Sequence, residues 1–177
     1  GSLTKFGPYS GIGSVTWSPD GAELALLITD GFPSDPAASI ARLRLEDGGL
    51  VPLVADSDTF DVEAYSDISW GPTGIVFVGG QPRPVVDPDE EIDPGDWNYH
   101  QLFTVAPNGG APARFNEWLP QGCFVTDAVC SYGFKSPEWS PDGSRVVVAV
   151  DVESGSGVRR SYVATIPRGA VRPDLLT

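Results

Sequence analysis

The chain has 177 residues, enough for one domain with a sizeable core, and its 41% hydrophobic content with 21 Gly and 17 Pro is the balance of turn-rich β structure. Its 24 acidic and 11 basic residues give a formal charge of −13, a surface that repels phosphate backbones and argues against nucleic acid or an anionic membrane as a direct partner. No stretch approaches the roughly twenty consecutive apolar residues that a membrane-spanning helix needs.

In chain order, a short β-type run at Ser14-Val15-Thr16 leads into Trp17-Ser18-Pro19-Asp20-Gly21, and a longer apolar run follows at 23–29. Pro at the second turn position fixes φ, Asp follows, and Gly takes the positive φ with which the chain enters the next strand, so the pentapeptide reads as a hairpin corner. A second hairpin follows, with strands at 39–45 and 50–55 around Glu46-Asp47-Gly48-Gly49. The same sentence is then written twice more. Residues 66–69, Trp70-Gly71-Pro72-Thr73-Gly74 and 75–78 precede a hairpin of 99–105 and 111–115 around an Asn108-Gly109-Gly110 turn. Ser136-Pro137-Glu138, Trp139-Ser140-Pro141-Asp142-Gly143 and 145–150 precede a hairpin of 161–166 and 171–177 around Pro167-Arg168-Gly169-Ala170. About twelve short strands and almost no helix are expected. In each copy the Trp before the corner is expected to pack between neighbouring units. Intervals between Trp17, Trp70 and Trp139 exceed what a bare four-stranded unit needs, so the excess falls in loops.

The Trp-Ser-Pro-Asp-Gly corner followed by an apolar strand, together with the closing Leu176-Thr177, resembles the WD40-like or PD40 repeat of TolB-type β-propellers, also found in the propellers of prolyl-oligopeptidase-like enzymes. The resemblance covers nearly the whole chain; the middle copy departs from it, with Gly71 and Thr73 in place of Ser and Asp. It implies an all-β propeller segment in one partial domain, residues 1–177, with four-stranded antiparallel blades at about 14–56, 66–116 and 136–177 and a long loop at 117–135 between the last two. Three blades are half of the usual six of such propellers. Either further blades belong to a longer parent, or two copies form a homodimer that completes a six-bladed ring. Gly1-Ser2 has the look of a cloning scar, which suits a segment cut from something larger and a native signal peptide already removed.

Strands of such a unit alternate in direction, so the tight turns share one end and the long connections the other. That second end is where a binding surface is expected. Its aromatic candidates are Trp97, Tyr99, Trp118, Phe124, Tyr132 and Phe134, in or beside the two longest loops; aromatics there serve either as contact anchors or to pin the loop down. With an acidic rim they favour a protein or peptide carrying Lys or Arg. The run 87–96 holds Asp87, Asp89, Glu91 and Asp93, oxygen ligands of the kind calcium takes, although Ile92 stands where an EF-hand loop requires Gly. A solvated acidic loop is the alternative. Cys123 and Cys130 lie within one loop, as a disulfide that staples it in an oxidising compartment or as two free thiols. The one histidine, His100, has no Gly-x-Ser-x-Gly elbow to serve, so a hydrolase centre within these residues is not expected. The composite expectation is a non-catalytic, extracytoplasmic, periplasmic, secreted or cell-surface interaction module. The competing expectations are the propeller of a prolyl-oligopeptidase-like hydrolase whose catalytic domain lies elsewhere, and a carbohydrate-binding propeller.

Overall fold

A computed structural model describes residues 4–9, 11–30, 37–57, 60–80, 101–115, 131–153, 159–169 and 174–176. Among them the chain is all-β, in three antiparallel sheets of which none closes on itself. The first sheet takes β1 (Ile12–Trp17), β2 (Glu23–Asp30), β3 (Ala37–Arg44) and β4 (Leu50–Ala55) in sequence order. The second takes β5 (Asp61–Val62), β6 (Ser69–Gly71), β7 (Gly74–Gly80), β8 (Gln101–Val105) and β9 (Ala113–Arg114), with β5 and β6 both paired to β7. The third takes β10 (Ser131–Trp139), β11 (Arg145–Glu153), β12 (Arg159–Pro167) and β13 (Asp174–Leu176). The expected first strand of the middle unit at 66–69 is observed as β6, three residues starting at Ser69, and β5 forms ahead of it in the expected connection, which brings the strands among the described residues to thirteen.

The corners form as their residues dictate. Gly21 N–H donates to the Ser18 carbonyl (2.9 Å) and Gly143 N–H to that of Ser140 (2.8 Å), with φ of 72° and 68° at the two glycines. Ser18 Oγ donates to Asp20 Oδ1 (2.7 Å) and accepts from Glu23 N–H (2.9 Å), while Asp20 also accepts from Ala22 N–H (3.0 Å). Ser140, Asp142, Ser144 and Arg145 repeat the arrangement with matching bonds. Gly71-Pro72-Thr73-Gly74 lacks these side chains and closes as a shorter turn, Gly71 pairing directly with Gly74.

The hydroxyl of Ser140, then the N–H and hydroxyl of Ser144, hold the Asp142 carboxyl down to about 2 from an ordinary 3.8. Because the folded value is the lower one, this contribution to stability is complete above about pH 4 and is lost as pH falls through about 2. Asp142→Asn is therefore expected to melt with a shallower pH dependence than the parent between pH 4 and pH 2. Thermal melts across that window check it.

The sheets stack in chain order, and strand parity decides which side chain enters which interlayer. In β7 every residue is buried, Ile75 and Phe77 facing the first sheet and Val76 and Val78 the third. The first interlayer gathers Ala25, Leu27, Ala38 and Ile40 against Trp70, Ile75, Phe77 and Phe103; the second gathers Val76, Val78, Leu102 and Phe115 against Phe134, Trp139, Val146, Val148 and Ile166. First strands converge, β6 lying against both β1 and β10. The Asp56 carboxylate clasps the first two sheets, accepting from Ala38 N–H (2.5 Å) and Val62 N–H (2.6 Å).

Two expectations change here. Trp70 and Trp139 are buried between sheets, at 8% and 7% exposure, but Trp17 is 59% exposed. Its side chain points to the far side of the first sheet, as its partner Leu24 does, where no sheet lies among the described residues. Phe134 is a core residue and not a loop aromatic: β10 begins at Ser131, inside the expected loop, and places Phe134 opposite Val150 at 4% exposure.

Gly71, which breaks the repeat, has a packing cause. A Cβ there would sit 2.3 Å from Trp139 Cγ, so the indole lies directly on the backbone of this residue and the Ser of the other copies has no room. Gly71→Ser is expected to cost about 1–3 kcal/mol through overpacking, read from a shift in the urea midpoint at constant m-value.

Candidate binding surface

Strand direction places the corners after β1, β6 and β10, and the turns after β3, β8 and β12, at one end of the stack. Cross-sheet contacts confirm that the second and third sheets share it, since Arg168 Nη2 donates to Thr73 Oγ1 (2.9 Å) and the Gly143 position abuts Pro72. Connections at 31–36, 56–60, 81–100, 116–130 and 154–158 leave from the opposite end. The described acids Asp30, Asp56, Asp61, Glu63 and Asp151 lie at or near this second end, so an acidic chain is acidic there too.

Hydrogen bonding lends this end order. Lys135 Nζ bonds Asp151 Oδ2 at 2.8 Å, and Ser161 Oγ donates to Asp151 Oδ1 at 2.6 Å. Where the first strands converge, Ile68 N–H donates to Ser14 Oγ (3.3 Å), Ser136 Oγ donates to Asp67 Oδ2 (2.7 Å), and Trp139 N–H donates to Ser69 Oγ (3.3 Å). Ser136 sits in the β10 bulge between Lys135 and Glu138 with φ of 48°, a left-handed conformation that costs a non-glycine residue on the order of 1 kcal/mol and frees its hydroxyl to reach across to Asp67. Tyr65, in the break between β5 and β6, is 72% exposed. Gln101, at the start of β8, is buried with neither amide atom hydrogen-bonded.

Of the residues singled out from sequence, Trp97, Tyr99, Trp118 and Phe124, the acids Asp87, Asp89, Glu91 and Asp93, Cys123 and Cys130, and His100 lie outside the described residues. Tyr132 belongs to β10, its backbone paired with Val152. Phe134 packs inside and offers no surface anchor. Sequence reasoning missed Tyr65 and the Asp56 clasp. Tyr65 lies in a Ser- and acid-rich connection that carries no periodic signal, and Asp56 is one of several acids there. Among the described residues no group of three His, Cys, Asp or Glu side chains is placed to hold a metal ion, and no helix is long and apolar enough to cross a membrane. No protein-family model matches this chain, and no curated protein is significantly similar to it.

Proposed function

We propose that the three sheets are consecutive blades of a PD40-like, TolB-type β-propeller segment, and that the chain is a non-catalytic binding module working outside the cytoplasm. It engages a protein or peptide segment rich in Lys or Arg through the end that carries the long connections. The blade reading is supported by two four-stranded meanders with a five-stranded sheet between them, stacked in chain order with their first strands converging, since blades turn their first strands to a common axis. The observation that carries the binding reading is the segregation of connections. Short turns gather at one end, and the other combines long connections, acidic side chains and the exposed ring of Tyr65. Calcium held by the acidic run 87–96 belongs to the same proposal as an accessory.

Fluorescence anisotropy with labelled peptides of graded charge tests it. Basic peptides are expected to bind, more weakly as salt rises, and Tyr65→Ala is expected to weaken them while leaving the melting temperature within a degree or two. Indifference to peptide charge, or binding lost only on substitution at the corner end, overturns the reading. For calcium, a melting temperature that is the same with the metal and with a chelator removes the accessory site.

A further inference from the structure

We infer that Asn108 is a site of self-modification: its side-chain amide is converted to a carboxylic acid through a succinimide formed with Gly109, at a rate set by opening of the turn that holds the two residues. Asn108 is exposed in the connection between β8 and β9, and the residue after it has no side chain to hinder its backbone nitrogen. The chain's other asparagines, Asn98 and Asn116, precede Tyr99 and Glu117, residue types that crowd the same nitrogen. Water and hydroxide are the only co-reactants. Hydroxide removes the Gly109 N–H proton and the nitrogen attacks Asn108 Cγ; the new N–Cγ bond closes a five-membered ring, the Cγ–Nδ2 bond breaks, and ammonia leaves with a proton from water. Water then opens the ring, at Cγ to give aspartate or at the main-chain carbonyl carbon to give isoaspartate. One amide and one water are consumed, one acid and one ammonia are formed, and no atom changes oxidation state. Each event adds a negative charge to a formal −13.

In the folded turn that nitrogen is engaged. Gly109 N–H donates to the Ala106 carbonyl (2.9 Å) across Pro107 and Asn108, with Gly109 at a φ of 84°. The bond retains the proton that must leave and holds the backbone on either side of the ring that must close. The turn is nevertheless lightly held. The hairpin after β3 is closed by five residue pairs with β4, by Arg44 N–H donating to the Gly49 carbonyl (3.0 Å) and by the Arg44–Asp47 ion pair (2.8 Å). In contrast, β9 gives β8 two pairs, Phe103 with Arg114 and Thr104 with Ala113. Opening of residues 106–112 thus breaks the turn bond while the buried ladder of β7 stays intact, a local event and not a global one.

The Asp-Gly pairs at 20–21, 47–48 and 142–143 sit in turns of the same kind and share the unhindered nitrogen. Their side chains are the wrong electrophile. A carboxylate resists attack by an anionic nitrogen, and these three are further held by N–H donors of Ala22 (3.0 Å), Gly49 (2.8 Å) and Ser144 (3.0 Å). The neutral amide of Asn108 removes that obstacle. The position belongs to the short-turn end of the stack, so the inference does not rest on the proposed binding surface.

The whole chain, incubated in mildly alkaline buffer and sampled by tryptic digestion and mass spectrometry of the peptide ending at Arg114, tests the proposal beside a synthetic peptide of residues 103–113. Both are expected to exchange the Asn108 amide for an acid, the folded chain about threefold to tenfold more slowly, the factor for one turn hydrogen bond. Pro107→Ala releases the φ that proline sets at the second turn position, and it is expected to bring the rate in the folded chain toward that of the peptide with melting changed by a degree or two at most. Asn108→Gln is expected to abolish the mass change, because its longer side chain would have to close a six-membered ring. An Asn108 that stays intact in the folded chain while the peptide converts overturns the proposal. Equal rates in chain and peptide, a Pro107→Ala rate equal to that of the parent, or earlier conversion at Asn98 or Asn116 overturn it as well.

Discussion

Alanine at position 139 is expected to lower the free energy of unfolding by about 3–5 kcal/mol, the range for truncating a buried Trp. The indole fills the space between the second and third sheets, lying on the bare backbone of Gly71, edge-on to Phe115 (centroids 5.3 Å apart, planes at 90°) and beneath the Arg168 guanidinium, 5.8 Å from the ring centroid. Sheet backbones are braced by their own ladders and collapse poorly into a void, which places the cost at the upper part of the range. Trp139→Phe is expected to cost clearly less. Nε1 is buried without a hydrogen-bond partner, so phenylalanine gives up ring area but relieves an unsatisfied donor. Trp17→Ala, the equivalent change on the far side of the first sheet, is expected to fall within about 0.5 kcal/mol of the parent at concentrations where the chain is monomeric. Urea titrations of the three variants check the order, and a Trp17→Ala cost equal to that of Trp139→Ala would refute the face assignment.

Phe103→Ala is expected to be as damaging, again by about 3–5 kcal/mol, in the other interlayer. Phe103 meets Phe60 edge-on at 4.9 Å and Phe77 in a tilted arrangement at 6.1 Å, and Phe60 meets Phe77 at 6.1 Å with planes at 72°. Such pairs add about 0.5–1.5 kcal/mol beyond the area they bury. The triangle also pins the connection from the first sheet onto the second, since Phe60 lies in that connection before β5 whereas Phe77 and Phe103 belong to β7 and β8. A double-mutant cycle between Phe60→Leu and Phe103→Leu is expected to show a coupling energy above about 0.5 kcal/mol. Additivity would mean that the rings fill space independently.

What the sequence made legible was what local chemistry decides. Ser18-Pro19-Asp20-Gly21 contains its own donors, acceptors and fixed dihedral, and it folds as those dictate without help from the rest of the chain. Strand order followed in the first and third sheets, where runs pair with their neighbours in sequence, whereas the second sheet carries a fifth strand. Face assignment was not legible in the same way. Trp17 is followed by the same Ser-Pro-Asp-Gly as Trp139, and the sheet that precedes Trp139 is what separates 7% from 59% exposure. Phe134 was misplaced for another reason. Tyr132 and Phe134 alternate with Ser131, Gly133 and Lys135 at the period of a strand, but Pro137 and the Ser136 bulge break the run before Trp139, so the period-two signal ended too early to be credited. Of the candidate surface, the division between a short-turn end and a long-connection end was readable from spacing, whereas Tyr65, Gln101 and the Asp56 clasp depend on where the chain is brought back.

The double burial of β7 bears on how the protein comes apart. Arrays whose units touch only their neighbours can fray from an end, one unit at a time. Here the middle sheet owes one wall to each of the others, so losing either outer sheet exposes Ile75 and Phe77 or Val76 and Val78 to water. Amide exchange in β7 is accordingly expected to require opening of the whole chain, with protection factors there that report the global free energy and move in parallel when Trp139 or Phe103 is truncated.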